Sequence, residues 1–399
     1  MLTRYNTPIY IFIAIFFWLQ NANAQIKGTI WDTKEIYKVP NYKTISTDSA
    51  IGIVYQGLPY KGQSKNVFAY YASPGTLSGD RSKDKNLPAV VLVHGGGGTA
   101  FKAWAILWAK KGYAAIAMDL RGNDAKKQHI AGGFDEPESL TPYYAITPNL
   151  NEQWMYQAVG DVILAHNLIR SFKEVDSNRT ALTGISWGGV ISCSLAGIDS
   201  RFKAVVPVYG CGYLFQSSAM RKELDKLSET DEAAWIKQYD PSQYIGRAKM
   251  PLLFINGTND GNFFLDSYTK TYKLVKDKSL SIKIGLKHNH SYGWGNEEIY
   301  HFINSHLSGT APLPKIDAVE IKKGLITAKI KSLVPIDQAY LNYTMDTTAV
   351  LKDRKWERTA VTIKDNKIWL SALPDGVTIW YLSVIDKRGL QVSGELQWP

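Results

Sequence analysis

Five residues, Gly184-Ile185-Ser186-Trp187-Gly188, constrain this chain more than any other stretch. A serine set between two glycines at this spacing fits a sharp strand-to-helix turn. The small neighbours let backbone approach closely, so the hydroxyl can project towards a carbonyl. At ordinary Gly and Ser usage, a chain of 399 residues carries on the order of 0.1 to 0.2 such matches by accident, so context has to decide. Thr180 to Thr183 reads as a short strand, and Gly188 to Ala196 as an apolar, small-residue helix. Strand, turn and helix in that order make Ser186 a candidate nucleophile for acyl transfer.

A serine hydroxyl is a poor nucleophile near neutral pH and needs a base, an orienting acid and an oxyanion hole. For this kind of turn the acid and then the base follow the serine in the chain. Pro251 to Asn256 reads as a strand running into Gly257-Thr-Asn-Asp260, which places Asp260 in a turn at a strand end; Asp240 and Asp266 are weaker candidates. Two histidines compete as base, His288 and His290. His290 is favoured because it lies further into its loop, with His288 as the alternative. His301 and His306 fall on a final helix and read as surface residues.

The oxyanion donors are expected to be the N–H of Trp187 and an N–H of Gly95 or Gly96, in the run His94-Gly-Gly-Gly-Gly98. That run lacks the following Gly-Lys-Ser/Thr of a phosphate cradle. His288-x-His290 alone is weak as a zinc spacing, so neither a metal nor a cofactor is expected. Tyr143, Tyr144, Trp154, Tyr209, Tyr213 and Trp294 could stack on a sugar ring or simply pack a core; Tyr209, Tyr213 and Trp294 form the candidate pocket set.

Around the serine the chain alternates strand and helix. Pro88 to His94, Tyr113 to Asp119, Thr180 to Thr183, Ala204 to Val208, Pro251 to Ile255 and Ile282 to Ile284 read as strands, with helices over Ala100 to Lys111 and Asn151 to Phe172. This indicates an α/β fold with a mainly parallel sheet and helices on both faces. Residues 44–74 read as an antiparallel edge, and about 211–248 as a polar insertion that could cap a site. The segment Ser308 to Pro314 reads as a linker, and 310–399 as short strands of a small immunoglobulin-like β-sandwich. The expected division is a leader over 1–24, a catalytic domain over 25–309 and an accessory domain over 310–399.

The leader has a charged start at Arg4, an apolar run from Ile9 to Leu19 and Ala22-Asn23-Ala24 as its exit. That is the pattern of a secretory signal cut after Ala24, and the run is too short to span a bilayer. A secreted or periplasmic protein without stable membrane insertion is expected. Formal net charge is +10, which could suit an acidic polysaccharide, but the lysines are scattered and no nucleic-acid motif appears. Cys193 and Cys211 read as two buried free thiols, although they could pair.

The motifs HGGGG at 94–98, GISWGG at 184–189, GTND at 257–260 and HNH at 288–290 together resemble the acetyl-xylan-esterase-like and prolyl-oligopeptidase-like (dienelactone-hydrolase-related) branch of the α/β hydrolases, over about residues 50–307. The resemblance implies a serine hydrolase. Members carrying an N-terminal propeller restrict entry to small peptides, and there is no room for one here, which favours an ester substrate. The expectation is a secreted serine carboxylester hydrolase that removes acyl groups from a carbohydrate or another small ester. A serine aminopeptidase or acyl-peptide hydrolase of the same fold is the alternative, and a non-catalytic carbohydrate-binding protein a third.

Overall fold

The computed structural model describes residues 26–135, 143–144, 146, 149–348 and 350–398. The expected leader over 1–24 lies outside the described residues. Among those described, no helix is long and apolar enough to cross a membrane.

Three antiparallel strands open the chain: β1 (Tyr42–Thr47), β2 (Ile51–Gln56) and β3 (Asn66–Ala72). Six more build the parallel core: β4 (Leu87–Val93), β5 (Ala114–Met118), β6 (Val175–Ile185), β7 (Ala204–Val208), β8 (Leu252–Gly257) and β9 (Lys278–Lys283). Their spatial order is β1-β2-β3-β5-β4-β6-β7-β8-β9. Pairing is antiparallel up to β3-β5 and parallel from β5-β4 onwards. Val90, Val91 and Val93 of β4 are wholly buried. A strand covered on both faces has no use for alternation, which is why this one reads as a continuous apolar run.

The helices are α1 (Pro74–Ser78), α2 (Lys102–Lys110), α3 (Trp154–Ser171), α4 (Trp187–Ile198), α5 (Arg221–Leu224), α6 (Glu229–Tyr239), α7 (Leu265–Lys273), α8 (His290–Trp294) and α9 (Glu297–Ser308). Helices α3 and α4 pack together on one face of the sheet, and α2 and α9 cover the other. Trp108 of α2 meets Tyr300 of α9 with ring centroids 6.1 Å apart.

Between β7 and β8 the insertion carries α5 and α6. The Asp240 carboxylate accepts from the N–H groups of Tyr213, Leu214 and Ser242, tying the two ends of the insertion together. This carboxylate is therefore spent on backbone. Trp235 of α6 is buried and donates its indole N–H to the Tyr143 carbonyl at 2.9 Å. Cys193 and Cys211 are free and buried, and burial pushes both thiols up.

The remaining strands are β10 (Lys315–Ile316), β11 (Glu320–Lys322), β12 (Leu325–Lys331), β13 (Ile336–Thr344), β14 (Glu357–Ala360), β15 (Thr362–Lys364), β16 (Lys367–Leu370), β17 (Ile379–Asp386) and β18 (Gln391–Ser393). They form two layers, as a sandwich requires, but one layer is not separate. Strand β18 pairs with β9 through Ser393 and Leu280, so β18-β17-β13-β14 extends the central sheet to 13 strands. The seam is polar and satisfied: Ser281 Oγ donates to the Gln391 carbonyl, and the Gln391 N–H donates to Glu298. It also has a core, in which Leu265 and Ile282 pack with Ile379, Tyr381 and Leu396.

Candidate active site

Strand β6 ends at Ile185, and Ser186 turns the chain into α4 with φ 60° and ψ −118°. That conformation is strained for a side-chain-bearing residue. It is held because the Ser186 N–H donates to the Val208 carbonyl and the Ser186 carbonyl accepts from Val190, both at 2.9 Å. Two glycines let the surrounding backbone close in. A Cβ on Gly184 would strike the Gly188 carbonyl, and one on Gly188 would strike the Val93 carbonyl. The elbow is thus wedged between the ends of β4 and β6, with the half-buried serine at its tip.

Asp260 sits just past β8, and its side chain is 1% exposed. One oxygen accepts the N–H groups of Asn262 and Phe263, at 2.8 and 2.9 Å. The other lies 2.6 Å from Nδ1 of His288, whose Nε2 lies 2.9 Å from Ser186 Oγ. A carboxylate only accepts, so in the neutral ring the proton sits on Nδ1 and Nε2 is left to take the serine proton. Ser186, His288 and Asp260 form one continuous hydrogen-bonded chain, the arrangement that can activate a hydroxyl for attack on an acyl carbon.

The expectation for His290 is corrected. It is His288 that lies between Ser186 and Asp260. His290 begins α8, and its Nε2 accepts the Gly95 N–H at 2.9 Å. Its ring packs on Phe101, with centroids 4.6 Å apart, and on Trp294 at 6.3 Å. Burial is the main cause lowering His290 to about 4. Asn289 caps α8 by accepting from the Tyr292 N–H, so the chain turns between the two histidines and their rings serve different partners.

The Gly95 alternative for the oxyanion hole is corrected for the same reason: its N–H is given to His290. The Gly95 carbonyl is also engaged, by the Gly98 N–H at 2.8 Å and by Nδ1 of His94 at 2.6 Å. His94 is neutral in this role, because its Nε2 accepts the Leu120 N–H. The next carbonyl, that of Gly96, accepts from the Tyr143 hydroxyl at 2.9 Å. Trp187 stands at the first position of α4, where an N–H has no partner within the helix. Its ring stacks on Tyr143, with centroids 4.9 Å apart.

The candidate pocket aromatics divide. Tyr209 is fully buried and does not line an open cleft; its hydroxyl donates to the Lys287 carbonyl and its ring backs His288. Trp294 packs behind His290, against Trp104 and Phe101. Half-buried Tyr213 is anchored at its own backbone, by Asp240 and by Ser267. Phe263, which the sequence did not single out, stacks on His288 at 5.9 Å. Its only signal was its place three residues after Asp260. Among the described residues no cluster of three or more His, Cys, Asp or Glu side chains is arranged to hold a metal.

The profile of the family described as Acetyl xylan esterase (AXE1) matches residues 28–243, and that of PhoPQ-activated pathogenicity-related protein matches residues 165–348. The human acylamino-acid-releasing enzyme is 26% identical over 241 residues, 55% of this chain and 31% of its own length. This chain thus spans about a third of the length of the curated relatives it matches. Among solved structures, the acetyl xylan esterase from Paenibacillus sp. R4 superposes with a TM-score of 0.54 at 20% identity, covering 69% of this chain and 92% of that one. Acetyl xylan esterase 1 from Thermoanaerobacterium sp. JW/SL YS485 gives 0.52 at 17% identity, over 66% and 86%. These likenesses carry the fold, and the profile match covers more than half of the sequence. The chain belongs to the acetyl xylan esterase (AXE1) family and adopts the α/β-hydrolase fold.

Proposed function

We propose that this protein is a secreted carboxylester hydrolase that removes acetyl or similar acyl groups from a carbohydrate. The observation that carries the reading is the hydrogen-bonded chain from Ser186 through His288 to Asp260. Ser186 Oγ attacks the acyl carbon as its proton passes to His288 Nε2, while Asp260 holds the opposite N–H and steadies the charged ring. The tetrahedral oxyanion is met by the N–H groups of Trp187 and Gly96. His288 then gives its proton to the departing sugar oxygen. A water molecule, deprotonated by His288, attacks the acyl-serine and releases the acid and the free serine.

Membership of the acetyl xylan esterase family supports an ester on a sugar, and the charged, apolar and small-residue order of 1–24 supports export. The insertion supports a lid-forming role, since Trp235 packs onto Tyr144 beside Trp187. A second reading, release of N-acylated amino acids, is favoured by the 26% identity to the human acylamino-acid-releasing enzyme. Wild type and Ser186→Ala are to be assayed side by side on acetylated xylo-oligosaccharides and on N-acetyl peptide anilides. Faster serine-dependent turnover of the sugar esters is the expected result. Faster turnover of the anilides would replace the esterase reading with the peptidase one.

A further inference from the structure

The hydrogen bond from the Gly95 N–H to His290 is not used by the chemistry above, and its place beside the serine gives it a task. We propose that His290 is a positioning residue: by accepting the Gly95 N–H it fixes the glycine loop so that the Gly96 N–H, paired with that of Trp187, faces the oxyanion. This rests on the acyl-transfer reading of Ser186.

Three observations converge. The Gly95 peptide groups are committed on both sides, the N–H to His290 Nε2 and the carbonyl to His94 and Gly98. In a trans peptide the N–H points opposite to the carbonyl it is bonded through. Securing the Gly95 carbonyl therefore turns the Gly96 N–H the other way. Next, Gly96 adjoins the residue after the nucleophile: a Cβ built on it would lie 2.8 Å from Trp187 Cδ1. Its own carbonyl is held by Tyr143. Finally, the loop is shaped to admit the imidazole. A Cβ on Gly98 would lie 2.9 Å from His290 Nε2, and one on Gly95 would lie 3.2 Å from it and 3.0 Å from Ser186 Cβ.

An acceptor at this position needs a lone pair, and therefore a neutral ring. The site favours one: burial, with His94, His288 and Lys127 nearby, disfavours the charged form. Tilted contacts with Phe101 and Trp294, at 53° and 46° between ring planes, hold the ring in place. The three residues His288-Asn289-His290 thereby join the two halves of the site. The first histidine addresses the serine proton and the second addresses the loop that receives the negative charge.

The test separates acceptor from packing. His290→Phe keeps an aromatic ring against Phe101 and Trp294 but removes the acceptor; His290→Gln keeps an acceptor and removes the ring. Turnover of p-nitrophenyl acetate and inhibition by a phenylboronic acid, which forms a tetrahedral adduct on a reactive serine, are read on the full chain. A lost or displaced oxyanion donor costs about 10²- to 10³-fold in kcat, so His290→Phe should lower kcat by about 10- to 100-fold. KM should stay within about threefold, and boronate affinity should fall by a factor similar to that in kcat. His290→Gln should recover much of both. If His290→Phe fails to fold, His290→Leu, which likewise removes the acceptor, should reproduce the loss. Wild-type kcat in His290→Phe, or recovery by Phe and not by Gln, would overturn the proposal. A failure of the acyl-transfer reading is seen differently, as turnover retained in Ser186→Ala whatever His290 does.

Discussion

The Tyr209 hydroxyl donates to the Lys287 carbonyl at 2.7 Å, and the same ring lies 4.4 Å from that of His288. One buried side chain thus fixes both the peptide before the histidine and the face of its imidazole. Tyr209→Phe keeps the ring contact and leaves the carbonyl with the longer bond from the Asn289 N–H, at 3.2 Å, so a stability loss of about 0.5–1.5 kcal/mol is expected. A fall in kcat of up to about tenfold should accompany it. Tyr209→Ala should cost more in both. Chemical denaturation and steady-state kinetics check this, and unchanged values in Tyr209→Phe would remove the hydrogen bond from the account.

Strain at the elbow gives a second expectation. Ser186 holds φ 60° and ψ −118°, a region where a Cβ costs about 1–3 kcal/mol. Glycine relieves that strain but gains freedom in the unfolded chain. Ser186→Gly should therefore be more stable than Ser186→Ala by about 1 kcal/mol, with both inactive. Equal melting temperatures would mean that the turn is not strained.

Acidification should expose the neutral His290. Its ring is lowered to about 4 by burial, while the unfolded chain takes up the proton near 6.5. The stability it contributes is complete above about 6.5 and is lost as pH falls towards 4. Asp119 and Asp161, both raised to about 6 by burial, work in the opposite direction because the fold keeps their protons to higher pH. A difference isolates the histidine. The stability gap between wild type and His290→Gln should change against the wild type as pH is lowered from 7 to 4, and a constant gap would contradict the assignment.

The C-terminal layer should not be removable. Besides the β18–β9 seam, the Asn259 side chain, next to Asp260, donates to the carbonyls of Lys352 and Arg354, both at 2.8 Å. A chain ending at residue 309 would uncover Leu265 and Ile282 and free the turn that carries Asp260. The expected outcome is an insoluble or inactive fragment, with a single thermal transition for the full chain. A soluble fragment with full activity on p-nitrophenyl acetate would contradict this.

What could be read from the sequence was local. The elbow, the strand end preceding it and the turn at Asp260 are each written in a few contiguous residues, and β4, β5, β7 and β8 show as apolar runs because both faces are covered. His288 and His290 could not be ranked by position alone. The choice depends on where Asn289 starts α8 and where Asp260 lies, and both are set by tertiary packing. The same holds for Gly95 against Gly96, which is decided by a histidine 195 positions away. Residues 308–314 have a linker's composition, yet Ser393 returns to pair with Leu280, and no local pattern encodes that pairing. In sequence Tyr209 fits a pocket or a core alike, and what decides between them is the loop at Lys287 that its hydroxyl holds.

The most direct measurement is the site and rate of phosphonylation by a fluorophosphonate, mapped by peptide mass spectrometry in wild type and in His288→Ala. The expected result is an adduct confined to Ser186, formed at least about 10³-fold more slowly without His288. An adduct on another residue, or a His288→Ala chain labelled as fast as wild type, would contradict the hydrogen-bonded chain as the source of the activity.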